Sequence, residues 1–129
     1  MIYTLEGEPK GKQRPRFNRA TGSTYTPSET VAYEKRVKYG YVMAGGTKYE
    51  DVPVKVEIWA FFKIPKSVSK KKAEAMAGVP ATKKPDADNI LKIILDGLNG
   101  VAYSDDKQVV NAVVHKCYWR DPRVTVEVE

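Results

Sequence analysis

The chain has 129 residues, with 22 Lys and Arg against 16 Asp and Glu, a formal net charge of +6; that length suits one domain with a real core and leaves no room for a second independent fold, and the excess charge favours polyanionic partners. The single cysteine, Cys117, excludes an intrachain disulfide and a cysteine-rich zinc cluster and points to a reducing, cytoplasmic setting. Met1 to Glu8 lacks the apolar core of an export signal, and no run approaches the roughly 20 apolar residues of a membrane span, so neither export nor anchoring is expected.

Along the chain, Ile2 to Leu5 is a short strand candidate. Between Lys10 and Arg19 stand five bases, Lys10, Lys12, Arg14, Arg16 and Arg19, with no acid until Glu29. Gly11, Pro15 and Gly22 oppose regular structure, which puts the arginines on a loop where their forked donors can grip phosphate oxygens in pairs. A solvated loop without a ligand is the plainer alternative. Helical periodicity runs from Ser28 to about Met43, opened by Pro27. Val54, Val56, Ile58, Ala60 and Phe62 then alternate with Lys55, Glu57, Trp59, Phe61 and Lys63, the period-2 pattern of a strand with one buried face.

From Lys63 to Lys84 seven lysines stand against one acid, Glu74, with a short helix expected from Ser69 to Ala77 before Gly78. The sign then reverses. Five aspartates, Asp86, Asp88, Asp96, Asp105 and Asp106, follow with Lys92 as the one base among them. A protein built only to hold phosphate gains nothing from carboxylates beside its basic patch, since each repels the ligand. A divalent cation between them removes the conflict.

The helix expected from Asp88 to Leu98 puts Asp88, Lys92 and Asp96 on one face at i, i+4 and i+8, with Ile90, Leu91, Ile94, Leu95 and Leu98 opposite. Asp105 and Asp106 precede the next strand and are expected to fold back toward the start of that helix. Asp86, Asp88 and Asp106, three carboxylates from two segments, suit Mg²⁺, which takes oxygen ligands, keeps several waters and binds substrate phosphate. The implied chemistry is phosphodiester hydrolysis, with Lys92 offsetting charge in the transition state. Each residue also has a plainer explanation. Asp86 or Asp88 can cap the helix, Asp88, Lys92 and Asp96 can form a solvated ladder, and Ser104-Asp105-Asp106 can be turn chemistry.

Val109 to Tyr118 and Val124 to Val128 are valine-rich and separated by Arg120-Asp121-Pro122, so they read as a hairpin. His115 and Cys117 share one strand face, but two ligands do not make a zinc site. Gly45-Gly46, Gly97 and Gly100 match no phosphate-binding or dinucleotide pattern, so no small-molecule cofactor is expected. The fold class expected from these elements is α+β, one domain over residues 1–129, with a mixed β-sheet packed with helices.

Three blocks carry a family resemblance: Pro9-Lys10-Gly11-Lys12-Gln13-Arg14-Pro15-Arg16-Phe17; Tyr25-Thr26-Pro27-Ser28 with Tyr33-Glu34; and Lys84-Pro85-Asp86-Ala87-Asp88-Asn89-Ile90-Leu91-Lys92, continuing to Asp96-Gly97-Leu98-Asn99-Gly100 and Asp105-Asp106-Lys107-Gln108-Val109. In order and spacing over nearly the whole chain they resemble the RusA-like Holliday junction resolvases, endonucleases common in phages and prophages. The resemblance implies a homodimer that resolves branched, four-way DNA junctions by paired nicks in recombination and repair, using Mg²⁺, with Mn²⁺ as a substitute. By position it implies Asp86, Asp88 and Asp106 as metal ligands, with Asp105 beside them, and Lys92 as the essential lysine. Lys10, Lys12, Arg14, Arg16, Lys83 and Lys84 are the expected contacts to DNA. Gly97 stands where alanine is usual, which is expected to loosen the helix end. The alternative is a non-catalytic nucleic-acid-binding module whose aspartates are structural.

Overall fold

The computed structural model describes all residues, 1–129, as an α+β fold. The strands are β1 (Ile2–Glu6), β2 (Arg16–Phe17), β3 (Thr24–Tyr25), β4 (Val54–Lys63), β5 (Val109–Trp119) and β6 (Arg123–Val128), and the helices are α1 (Ser28–Met43), α2 (Lys70–Met76) and α3 (Ala87–Leu98). A mixed four-stranded sheet has the order β1-β6-β4-β5, with β4 and β5 parallel and the other neighbours antiparallel. The alternation in β4 is realised: Val54, Val56, Ile58, Ala60 and Phe62 are buried and their neighbours more exposed.

The expected hairpin between β5 and β6 does not form, because β4 lies between them and pairs with both. Skipping one strand requires about 10 Å of lateral travel, which the three residues Arg120-Asp121-Pro122 can span. A short connection is therefore compatible with a missing partner as well as with a hairpin. The parallel pairing of β4 with β5 requires a long crossover, and residues 64–108 supply it with α2 and α3.

Helix α1 buries Thr30, Tyr33, Val37 and Tyr41, one stripe along its length, and α3 buries Ile90, Ile93, Ile94, Gly97 and Leu98. The buried face of α3 is rotated from the expected one. Ile93 is fully buried, whereas Leu91 and Leu95 are only partly covered. The cause is α1, which packs along the Ile93 and Gly97 side. A Cβ at position 97 would lie 2.6 Å from the Val37 Cβ and 3.0 Å from the Glu34 carbonyl oxygen. Gly97 thus marks close helix packing and does not loosen a helix end. Helix α2 buries nothing and is capped by Ser69, whose hydroxyl accepts the Lys72 N–H at 3.2 Å.

The basic arm is more ordered than a loop. Arg16 and Phe17 pair with Tyr25 and Thr24 in a small β2–β3 hairpin, turned where Gly22 takes φ +71° and its N–H bonds the Asn18 carbonyl at 2.8 Å.

Candidate active site

The polar face of α3 begins at its N-terminus. Asp86 occupies the N-cap position, yet its carboxylate makes no capping bond, and Asp88 accepts the adjacent Asn89 N–H at 2.9 Å. Both are exposed. The capping explanation therefore leaves the Asp86 carboxylate unassigned. One turn on, Lys92 is exposed, and its Nζ lies 3.7 Å from Asp96 Oδ2. Asp88 makes no ion pair with Lys92, so the expected ladder is only half built. Asp88 to Asp96 is a stripe about 12 Å long at helical rise.

Asp105 and Asp106 fold back onto the polar face of α3, where Asp96 and Lys92 act on Asp106. The chain reverses immediately after α3, where Gly100 N–H bonds the Tyr103 carbonyl at 2.8 Å, and the Tyr103 hydroxyl donates to the Leu95 carbonyl at 2.7 Å. That return brings Asp106 within electrostatic reach of Asp96 and Lys92. Partial burial, the hydrogen bond with Asp105 and the charges of Asp105 and Asp96 raise the pKa of Asp106, against the opposing pull of Lys92. Asp105 is held low by the Lys107 backbone N–H, which its carboxylate accepts at 2.9 Å.

The residue that pins this turn is Gln108, which sequence reasoning did not single out. Buried, it accepts the N–H groups of Ser104 and Asp105 at 3.0 and 3.3 Å and donates to the Tyr49 and Val52 carbonyls at 2.9 and 3.2 Å. With Asp105 it forms a capping box around the 3-10 turn Asp106–Gln108. The Asp-x-x-Gln spacing at 105 and 108 was the available signal.

The arm crosses the start of α3. Lys12 N–H donates to the Asn89 carbonyl at 2.8 Å, and a Cβ on Gly11 would stand 2.6 Å from the Pro85 Cβ. Lys12, expected to face DNA, is turned inward: its Nζ lies 3.1 and 3.2 Å from the two Glu34 carboxylate oxygens and 3.0 Å from Asp96 Oδ2. Burial opposes its charge, but the bonds to Asp96 and Glu34 outweigh this and raise its pKa. Beside it, a polar cleft of about 430 Å³ brings Lys10 and Lys84 to Asp86. Arg14 and Arg16 are exposed on the arm. Lys83 stands apart over the Phe62 ring, at 5.7 Å, and its carbonyl accepts Lys116 Nζ at 2.7 Å.

No three Asp, Glu, His or Cys side chains converge closely enough to enclose an ion. The carboxylates of Asp86, Asp88 and Asp106 thus do not close a cage of their own around an ion. The all-oxygen donor set still fits Mg²⁺ or Mn²⁺, since Mg²⁺ is commonly held by one or two carboxylates with water and phosphate oxygens completing its shell. His115 pairs instead with Glu57, Nε2 to Oε2 at 2.6 Å, and stacks on Trp59. No helix is long and apolar enough to cross a membrane.

The family model described as endodeoxyribonuclease RusA matches residues 6–129 of this chain. An "Uncharacterized protein YqaN" of Bacillus subtilis (strain 168) is 35% identical over 135 residues, covering 98% of this chain and 93% of that protein.

Proposed function

The chain belongs to the endodeoxyribonuclease RusA family, and on that premise we propose that it resolves four-way DNA junctions by paired, symmetric nicks, with Mg²⁺ as cofactor, in the cytoplasm. The observation that carries this reading is the exposed acidic face of α3, whose Asp86 carboxylate serves no cap, bordered by the basic arm and by Asp106. One or two carboxylates of the set Asp86, Asp88, Asp106 and Asp105 would hold the ion, with water and oxygens of the bound DNA completing its shell. When bound, Mg²⁺ supplies Lewis-acid polarisation of the phosphoryl group and acidifies a water. The exposed Lys92 ammonium sits on the same face to offset charge developing on the phosphoryl oxygens. Lys10, Arg14, Arg16, Lys83 and Lys84 contact backbone phosphates, which selects DNA by shape and not by base sequence.

A four-way junction has approximate two-fold symmetry, and one chain brings one acidic face, so matched cuts call for two copies. The first half of β5, residues 109–114, is an uncharged edge with Val110 and Val113 exposed, while residues 78–81 bond to Lys116 and Tyr118 and cover the second half. Strand alternation then turns the Ala112 and Val114 backbone groups outward. An open edge of this kind pairs with the same edge of a second copy, antiparallel, about a two-fold axis at Val113.

Incubating the protein with a synthetic mobile four-way junction, with and without Mg²⁺, tests the reading. Paired nicks in opposed strands that require the ion are expected. Cutting of linear duplex at the same rate, or nicking that persists in EDTA, refutes it.

A further inference from the structure

The basic arm has almost no core of its own, since no residue between Pro9 and Pro27 is buried. What fastens it to the body near the acidic face is Lys12, through its backbone N–H on Asn89 and its side chain on two helices. A lysine ammonium has three N–H donors. Those of Lys12 face three carboxylate oxygens, both of Glu34 on α1 and one of Asp96 on α3. All three oxygens lie within 3.2 Å of its Nζ, so an approaching phosphate would meet two carboxylates around one ammonium.

We propose that Lys12 is a positioning residue, a clasp that ties the arm to Glu34 on α1 and Asp96 on α3 and so aims the arm's exposed bases across the acidic face. It also engages the Asp96 oxygen that lies nearest Lys92, which leaves the Lys92 ammonium, 61% exposed and 3.7 Å from that oxygen, accessible to substrate. The clasp rests on the nuclease reading for its effect on cutting, but its mechanical half stands without it.

The test compares Lys12→Gln and Glu34→Gln in the full-length protein, each checked for native circular dichroism. Without DNA, trypsin should cut between Arg14 and Arg19 faster in both variants than in the wild type. On the junction, kcat should fall about 10- to 100-fold, the scale of a misplaced site, while the salt dependence of binding stays unchanged. The double variant should be no worse than either single. If Lys12 instead contacts phosphate, Lys12→Gln lowers the slope of log K against log[salt] by about one and Glu34→Gln tightens binding, which overturns the proposal. Unchanged trypsin cleavage also overturns it. Faster trypsin cleavage in a protein whose wild type cuts no junction supports the clasp and removes the nuclease reading.

Discussion

Gly97 on α3 lies against Val37 on α1 with no room for a side chain, a Cβ at 97 falling 2.6 Å from the Val37 Cβ. Alanine gains about 1 kcal/mol of helix propensity over glycine, but overpacking a filled contact costs about 1 to 3 kcal/mol. Gly97→Ala is therefore expected to destabilise by about 1 kcal/mol in urea unfolding, and to cost less in a Val37→Ala background. Equal costs in the two backgrounds would show that the helices separate freely. Because this contact sets the spacing of α1 and α3, it also sets that of Glu34 and Asp96.

Asp106 carries a stability cost at neutral pH. Its folded-state pKa is raised above the ordinary 3.8 by partial burial, then by Asp105 and Asp96. The folded state thus holds its proton more tightly than the unfolded state. That contribution is fully present below pH 3.8 and is lost as pH rises through the raised value. Asp106→Asn should raise the Tm of the metal-free protein at pH 7, by an energy of about 0.5 kcal/mol or less given solvent screening, and not at pH 3. The same variant should lose junction cutting. A lowered Tm at pH 7 would contradict the account of this carboxylate.

Lys92 is largely solvent-exposed, so its removal tests chemistry apart from folding. Lys92→Ala should change unfolding free energy by no more than about 0.5 kcal/mol and lower the cutting rate by roughly 10² to 10³. Recovery of part of the rate in Lys92→Arg would show that charge is the operative property. A wild-type rate in Lys92→Ala would remove this lysine from the site.

Arg14 and Arg16 lie exposed on the arm, free of the carboxylates that hold Lys12. Replacing either with alanine should weaken junction binding and reduce the slope of log K against log[salt] by about 0.9. Fluorescence anisotropy at several salt concentrations reads both quantities. An unchanged slope would place that arginine away from the DNA.

The uncharged edge of β5 predicts a dimer in solution that a charge at its centre breaks. Analytical ultracentrifugation of the wild type should give two copies, and Val113→Lys should give one copy with unchanged circular dichroism. A wild-type monomer removes the dimer itself, whereas a dimer that survives Val113→Lys moves the interface elsewhere.

Local pattern made the elements legible. The alternation in β4 and the periodicity of α1 and α3 come from side-chain spacing alone, and their bounds match the structure closely. Strand order did not come through, since the three residues after β5 are equally able to close a hairpin or to pass over the end of β4. In the site, the aspartates stood out because five acids interrupt a basic chain, but their distances depend on where the turn after α3 stops, which Gly100, Tyr103 and Gln108 decide. Lys12 shows the same limit. Its partners Glu34 and Asp96 lie far along the chain, and in sequence it is indistinguishable from the other bases of the arm.

The most direct measurement is cutting and binding of a four-way junction by Asp88→Asn in Mg²⁺, side by side with the wild type. The account predicts no nicks together with junction affinity equal to or tighter than the wild type, because a carboxylate that repels phosphate is gone while the basic arm is intact. Nicking by Asp88→Asn at the wild-type rate would contradict it.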